Sequence, residues 1–169
     1  MPRPLIAFVH FVDALNYRVG RFAMYLLYAL MAVLLWSAVS KNFNQNPIWT
    51  LEMAQFIMVA YYMLGGPYSL QLDSNVRMDL LYHRWSDRQK AWVDAFSIFA
   101  LLFYLGVLLY GALESTAWSF RYGGERSATA WRPYLWPIKV VMCVGITLML
   151  LQSISIFLKD VAKLRGKEI

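Results

Sequence analysis

Three ionisable residues lie inside otherwise apolar stretches of the sequence: Glu52, Glu114 and Lys139. A charge at the centre of a bilayer costs about 2.5–3.5 kcal/mol even on the mildest scale, so residues of this kind are expected to be paired or functional. All three fall within about two turns of the ends of their segments, and the chain order brings those ends to the same side. This predicts that Lys139 pairs with Glu52 or Glu114 and cross-links two helices. The alternatives are side chains that snorkel to the surface with no fixed partner, and a proton or ion site. A path across the membrane would also need ionisable groups at the midplane, and there the four stretches have none.

Other constellations carry less chemistry. Asp79, His83 and Asp87 recur every four residues, which could stack three metal ligands on one helical face. A capping box, Ser86-Asp87-Arg88-Gln89, breaks the helix before Asp87, and a solvated polar face accounts for the pattern. His10 and His83 both lie outside the apolar stretches, so a bis-histidine haem has no facing pair. Cys143 is the one cysteine and can form neither an internal disulfide nor a CxxC pair. The chain has no glycine-rich phosphate loop and no nucleophile elbow. No enzyme and no cofactor is therefore expected.

The elements that position these residues follow from composition. Of 169 residues, 60% are hydrophobic and 15% charged, against roughly 25% charged in soluble domains. The net charge of +6 comes from basic residues grouped beside apolar runs, a membrane-topology pattern and not a nucleic-acid surface. A bilayer core of about 30 Å needs roughly 20 apolar helical residues. Residues 22–40, 48–70, 94–118 and 136–158 qualify, so the fold class is an all-α integral membrane protein with four spans in one domain. Arg18 and Arg21 precede the first span with no small-residue cleavage site after it, so it reads as a retained span and not a signal peptide. Asn46-Pro47 and Trp136-Pro137 open the second and fourth spans, and Gly65-Gly66-Pro67 should kink or break the second.

Two further helices are expected outside the spans. Leu5, Ile6, Phe8, Val9, Val12 and Leu15 share a helical stripe, so residues 4–19 read as an amphipathic helix lying in the membrane surface. It would serve either as a brace for a partner subunit or as a lipid anchor alone. Met78, Leu81, Tyr82 and Trp85 predict a short connector helix between Asn75 and Trp85. Eleven Lys and Arg residues fall on the side of the termini and middle loop, and five on the other. Basic residues stay in the cytoplasm, so both termini are predicted to be cytoplasmic. Trp36, Trp49, Trp92, Trp118, Trp131 and Trp136 fall at span ends, as interfacial belts require. Gly106, Gly111, Gly145, Ser153 and Ser155 would allow close helix approach.

Five segments follow in order: Trp49-Thr50-Leu51-Glu52, then Asn75-Val76-Arg77-Met78-Asp79-Leu80-Leu81, then Trp85 through Asp94, then Leu135-Trp136-Pro137-Ile138-Lys139 and Leu150-Leu151-Gln152. Together, in this order and spacing, they resemble the small, DctQ-like membrane subunit of tripartite ATP-independent periplasmic (TRAP) transporters. Asp73-Ser74 departs from the Gly-His pair of many relatives, so no role attached to that His carries over. The resemblance implies a chain of the bacterial inner membrane that catalyses nothing. It would brace the scaffold of a large membrane subunit, which holds the substrate and sodium sites, and help dock a periplasmic substrate-binding protein that delivers a small organic acid. On this reading Arg77 and Asp79 fix the cytoplasmic loop through salt bridges, while Arg121, Arg126 and Arg132 are candidates for docking the binding protein. The competing expectation is an autonomous four-helix multidrug-type transporter that uses Glu52.

Overall fold

The computed structural model describes residues 3–43, 45, 47–72, 87–122 and 124–164. Among the described residues four helices follow in order: α1 Arg3–Asn42, α2 Trp49–Gln71, α3 Asp87–Arg121 and α4 Trp136–Leu164. Asn46, the connector Asn75–Trp85 and the capping box at Ser86 lie outside the described residues, as do Arg77 and Asp79. α2 starts at Trp49, two residues beyond the expected Pro47; Ile48 gives it no side-chain cap, and the Thr50 hydroxyl bonds the Pro47 carbonyl at 2.9 Å.

The separate surface helix expected at 4–19 is instead the first part of α1, which continues without interruption into the span. The reason is visible in burial. Val9, Val12, Asn16, Gly20, Ala23 and Ser40 are buried, with Leu26, Leu30, Val33 and Ser37 half-buried between them, and all lie on one stripe at three- and four-residue steps. The stripe does not change face at Gly20-Arg21, so one helix serves both halves. Its 40 residues make a rod about 60 Å long, roughly twice the bilayer core.

α4 is the packing centre. α1 and α2 run antiparallel along each other, and both rest on α4, while α3 packs chiefly against α4's other side. α2 passes through Gly65-Gly66-Pro67 as helix, so of the expected kink or break the break does not occur. Pro67 has no N–H, so the Met63 carbonyl lacks its usual intrahelical donor. Gly145 of α4 fits against that place: a Cβ there would stand 2.7 Å from the Met63 oxygen and 2.9 Å from its carbonyl carbon. Proline and glycine together let two backbones touch.

Polarity is inverted relative to a water-soluble bundle. Among the described residues nine polar or charged side chains are buried, against seven hydrophobic ones, while Phe22, Tyr25, Leu35, Phe96, Phe99, Phe103 and Tyr110 are exposed. Apolar surface of this extent is stable in lipid or against another protein. Three helices contain stretches long and apolar enough to cross a membrane, Pro4–Asn42, Phe96–Arg121 and Trp136–Lys159. α2 is less apolar but lies alongside α1 from Thr50, beside Ser37, to Gln71, beside Asp13.

The Gly145 contact makes a prediction. Gly145→Ala should destabilise the purified chain by about 1–3 kcal/mol, whereas Gly111→Ala, whose Cβ would meet nothing within 4 Å, should leave it unchanged or slightly more stable. Thermal unfolding in detergent checks both; equal effects would show that the α2–α4 contact is not tight.

Candidate functional site

Polar side chains gather at the two ends of the bundle. At the first end α3 finishes at Arg121, Gly124 takes a left-handed φ of 86°, and the chain returns through a loop to α4. The Gly124 N–H donates to the Ser119 carbonyl, and Leu135 N–H to the Glu125 carbonyl. This geometry sets Glu125 over the start of α4, where Lys139 Nζ lies 2.6 Å from its Oε2 and donates also to Ser119 Oγ at 2.7 Å. Lys139 holds the Glu125 carboxyl below the usual carboxylate range, through the hydrogen bond first and its charge second.

Lys139 is thus paired, but with a loop residue and not with Glu52 or Glu114 as the spans suggested. Glu125 satisfies the ammonium from the loop side and, with Ser119, ties the end of α3 to α4. Glu52 is buried, 4% exposed, with Oε2 free of any hydrogen bond. It is the fourth residue of α2, where the partial positive charge of the helix N-terminus favours a carboxylate. Glu114 is exposed on α3, and neither carboxylate has an ion pair with a described residue.

Of the three loop arginines, Arg126 is engaged within the loop. It hydrogen-bonds the Tyr134 hydroxyl and stacks over that ring at 4.5 Å. Arg121 and Arg132 are exposed, Arg132 in a left-handed conformation with φ of 50°.

The second end was missed by sequence reasoning. Asp13 Oδ2 receives Lys159 Nζ at 2.6 Å, and its Oδ1 receives Gln152 Nε2 at 3.1 Å and Ser155 Oγ at 3.4 Å. Asn16 donates to Gln152 Oε1 at 2.6 Å, and Gln71 to the Asp13 carbonyl at 3.2 Å. Gln152 and Ser155 are fully buried. One network therefore joins α1, α2 and α4. Its signal was present: Gln152, Ser155 and Lys159 recur on one face of α4, and Asp13 with Asn16 on one face of α1, as two complementary polar stripes.

Neither network encloses a catalytic constellation; both hold helices together. Residues 30–163 match the family described as tripartite ATP-independent periplasmic transporters, DctQ component. The chain belongs to the DctQ family. Among curated proteins none matches it. The DctQ chain is accordingly a multi-pass component of an inner-membrane transport system, and its family works with a large membrane subunit and a periplasmic binding protein. The match covers all of α2 and α3, and it leaves outside residues 3–29 of α1, about two thirds of that helix, which carry Asp13 and Asn16.

Two predictions test the networks. Asp13→Ala strands the Lys159 ammonium and the Gln152 amide and should lower stability by about 1–2 kcal/mol, with Lys159→Met in the same background adding little; additive losses in thermal unfolding would contradict the pairing. Because the Glu125 carboxyl is held low, its contribution is complete above the ordinary carboxylate range and disappears as pH falls through the lowered value. Acidification should therefore loosen the 122–135 loop, read as faster proteolysis or hydrogen exchange there, and Glu125→Gln should remove that pH dependence.

Proposed function

We propose that this DctQ component is a static wall of its transporter. All four helices cross the inner membrane, both termini and the middle loop lie in the cytoplasm, and the chain holds the scaffold of the large subunit still while that subunit carries out sodium-coupled uptake of a small organic acid. The observation that carries this reading is the placement of polarity. Ionisable side chains stand at the two ends, and residues 22–40, 53–72, 95–113 and 140–158 contain no Asp, Glu, Lys or Arg. A carrier needs polar groups at mid-depth to replace water around its solute. α2 counts as a span on this reading because it matches α1 side by side from one polar end to the other.

The loop between α3 and α4 faces the periplasm in this arrangement. Lys139, Ser119 and Glu125 pin it, and Arg121 and Arg132 remain available to acidic groups on the binding protein. Arg126, bonded to Tyr134, shapes the loop instead.

Reconstitution tests the proposal. The chain alone in liposomes should move neither organic acids nor cations, and addition of the large subunit with the binding protein and a sodium gradient should start uptake. Unaided transport by this chain would refute the scaffold role and favour a carrier built on Glu52. In the complete system Arg121→Glu with Arg132→Glu should slow uptake about two- to tenfold by weakening steering of the binding protein; uptake unchanged at low salt would remove the loop from the docking surface.

A further inference from the structure

Among the described residues, Glu114 is the one charged side chain that the bundle places on an apolar face at membrane depth without giving it a partner. It lies seven residues before the end of the apolar stretch Phe96–Arg121, about 10 Å inside it, and one turn below the exposed Trp118. α3 meets α4 through Leu105, Thr116 and Ser119: Thr116 touches Cys143 and Ser119 bonds Lys139. Glu114 follows Leu105 by nine residues, which at about 100° per residue is half a turn round the helix. The carboxylate therefore points directly away from the chain's own helices. Phe96, Phe103 and Val107 share its face, all exposed.

Lipid tails offer this carboxylate no donor, and the described residues offer none either. Lys139, the cation nearest in depth, is held by Glu125 and Ser119. Arg121 is on the same side of α3 but two turns higher. A second copy of the chain packed on the same face across a two-fold axis would set one Glu114 against another. What complements the face is a different membrane helix, apolar along its length, with an Arg or Lys near one end. Gly111 is exposed beside Glu114, and its Cβ position is open, so that helix can approach closely, unlike at Gly145, where the notch is already filled by α2.

The geometry points to the outward face of α3 (Phe96, Phe103, Val107, Gly111 and Glu114) as the seat of a transmembrane helix of the large subunit, which pairs a cationic side chain with Glu114. This rests on the scaffold reading above and adds to it the face and the chemistry of the contact.

The experiment uses the co-expressed complex in its native membrane. A photoreactive benzoylphenylalanine in place of Val107 should form an adduct with the large subunit. An adduct with a second copy of this chain, or with lipid alone, overturns the assignment. Glu114→Lys should reduce co-purified large subunit roughly tenfold, Glu114→Gln should reduce it less, and reversing the opposing cation to Glu should restore recovery in the Lys variant. The melting temperature of the isolated chain should not move in either variant, because no described residue bonds Glu114. Full recovery with Glu114→Lys overturns the pairing. If the wild-type chain recovers the large subunit but the Val107 and Glu114 results fail, the face is wrong and the scaffold role stands. If the wild-type chain recovers none, both fall.

Discussion

In hydrocarbon a polar side chain can bond only to another part of the protein, and that constraint orders this molecule. Among the described residues, nine buried polar side chains line the contacts between helices while aromatic and aliphatic side chains cover the outside. α4 meets inward-facing groups from each of the other three helices. Its Gln152, Ser155 and Lys159 receive α1 through Asp13 and Asn16, its Lys139 receives α3 and the following loop, and its Gly145 receives the backbone of α2. Remove α4 and each of the other three helices loses a polar or backbone contact.

The two ends are built differently. The Asp13 network is largely buried, and it joins three helices through amide and carboxylate hydrogen bonds that leave little freedom of rotation. The Lys139–Glu125 contact is at the surface and fastens a loop, so it is open to water, salt and pH. Between them lie buried apolar residues, Ala23, Leu105, Ile146 and Leu148 among them, and the close backbone contact at Gly145. A bundle pinned at both ends suits a fixed support better than a moving part.

Much of this was legible in the sequence. Helical segments, their approximate bounds and the apolar character followed from runs of hydrophobic residues, and the family followed from short segments in order. The interior of the bundle was harder to read. Residues 4–19 looked like a separate surface helix because their apolar residues form a helical stripe ahead of the first span, yet the buried stripe from Val9 to Ser40 runs unbroken past Arg18 and Arg21. Lys139 was matched to carboxylates at similar depth, but its partner came from a loop, whose path depends on the left-handed turns at Gly124 and Arg132. Asp13 and Asn16 share the inward face of α1 and meet α4's polar stripe, a pairing that joins residues 139 positions apart and that no local pattern reveals.

The central claim is that the four helices keep their places while the transporter works. Spin labels at Phe43 and Phe120, both exposed at the Lys139 end, would report the separation of α1 and α3 by pulsed electron resonance in the assembled complex. One unchanged distance distribution is predicted with and without sodium, substrate and binding protein. A displaced maximum or a second population that appears on adding substrate would show that this chain moves with the cycle, and the account of it as a fixed support would fail.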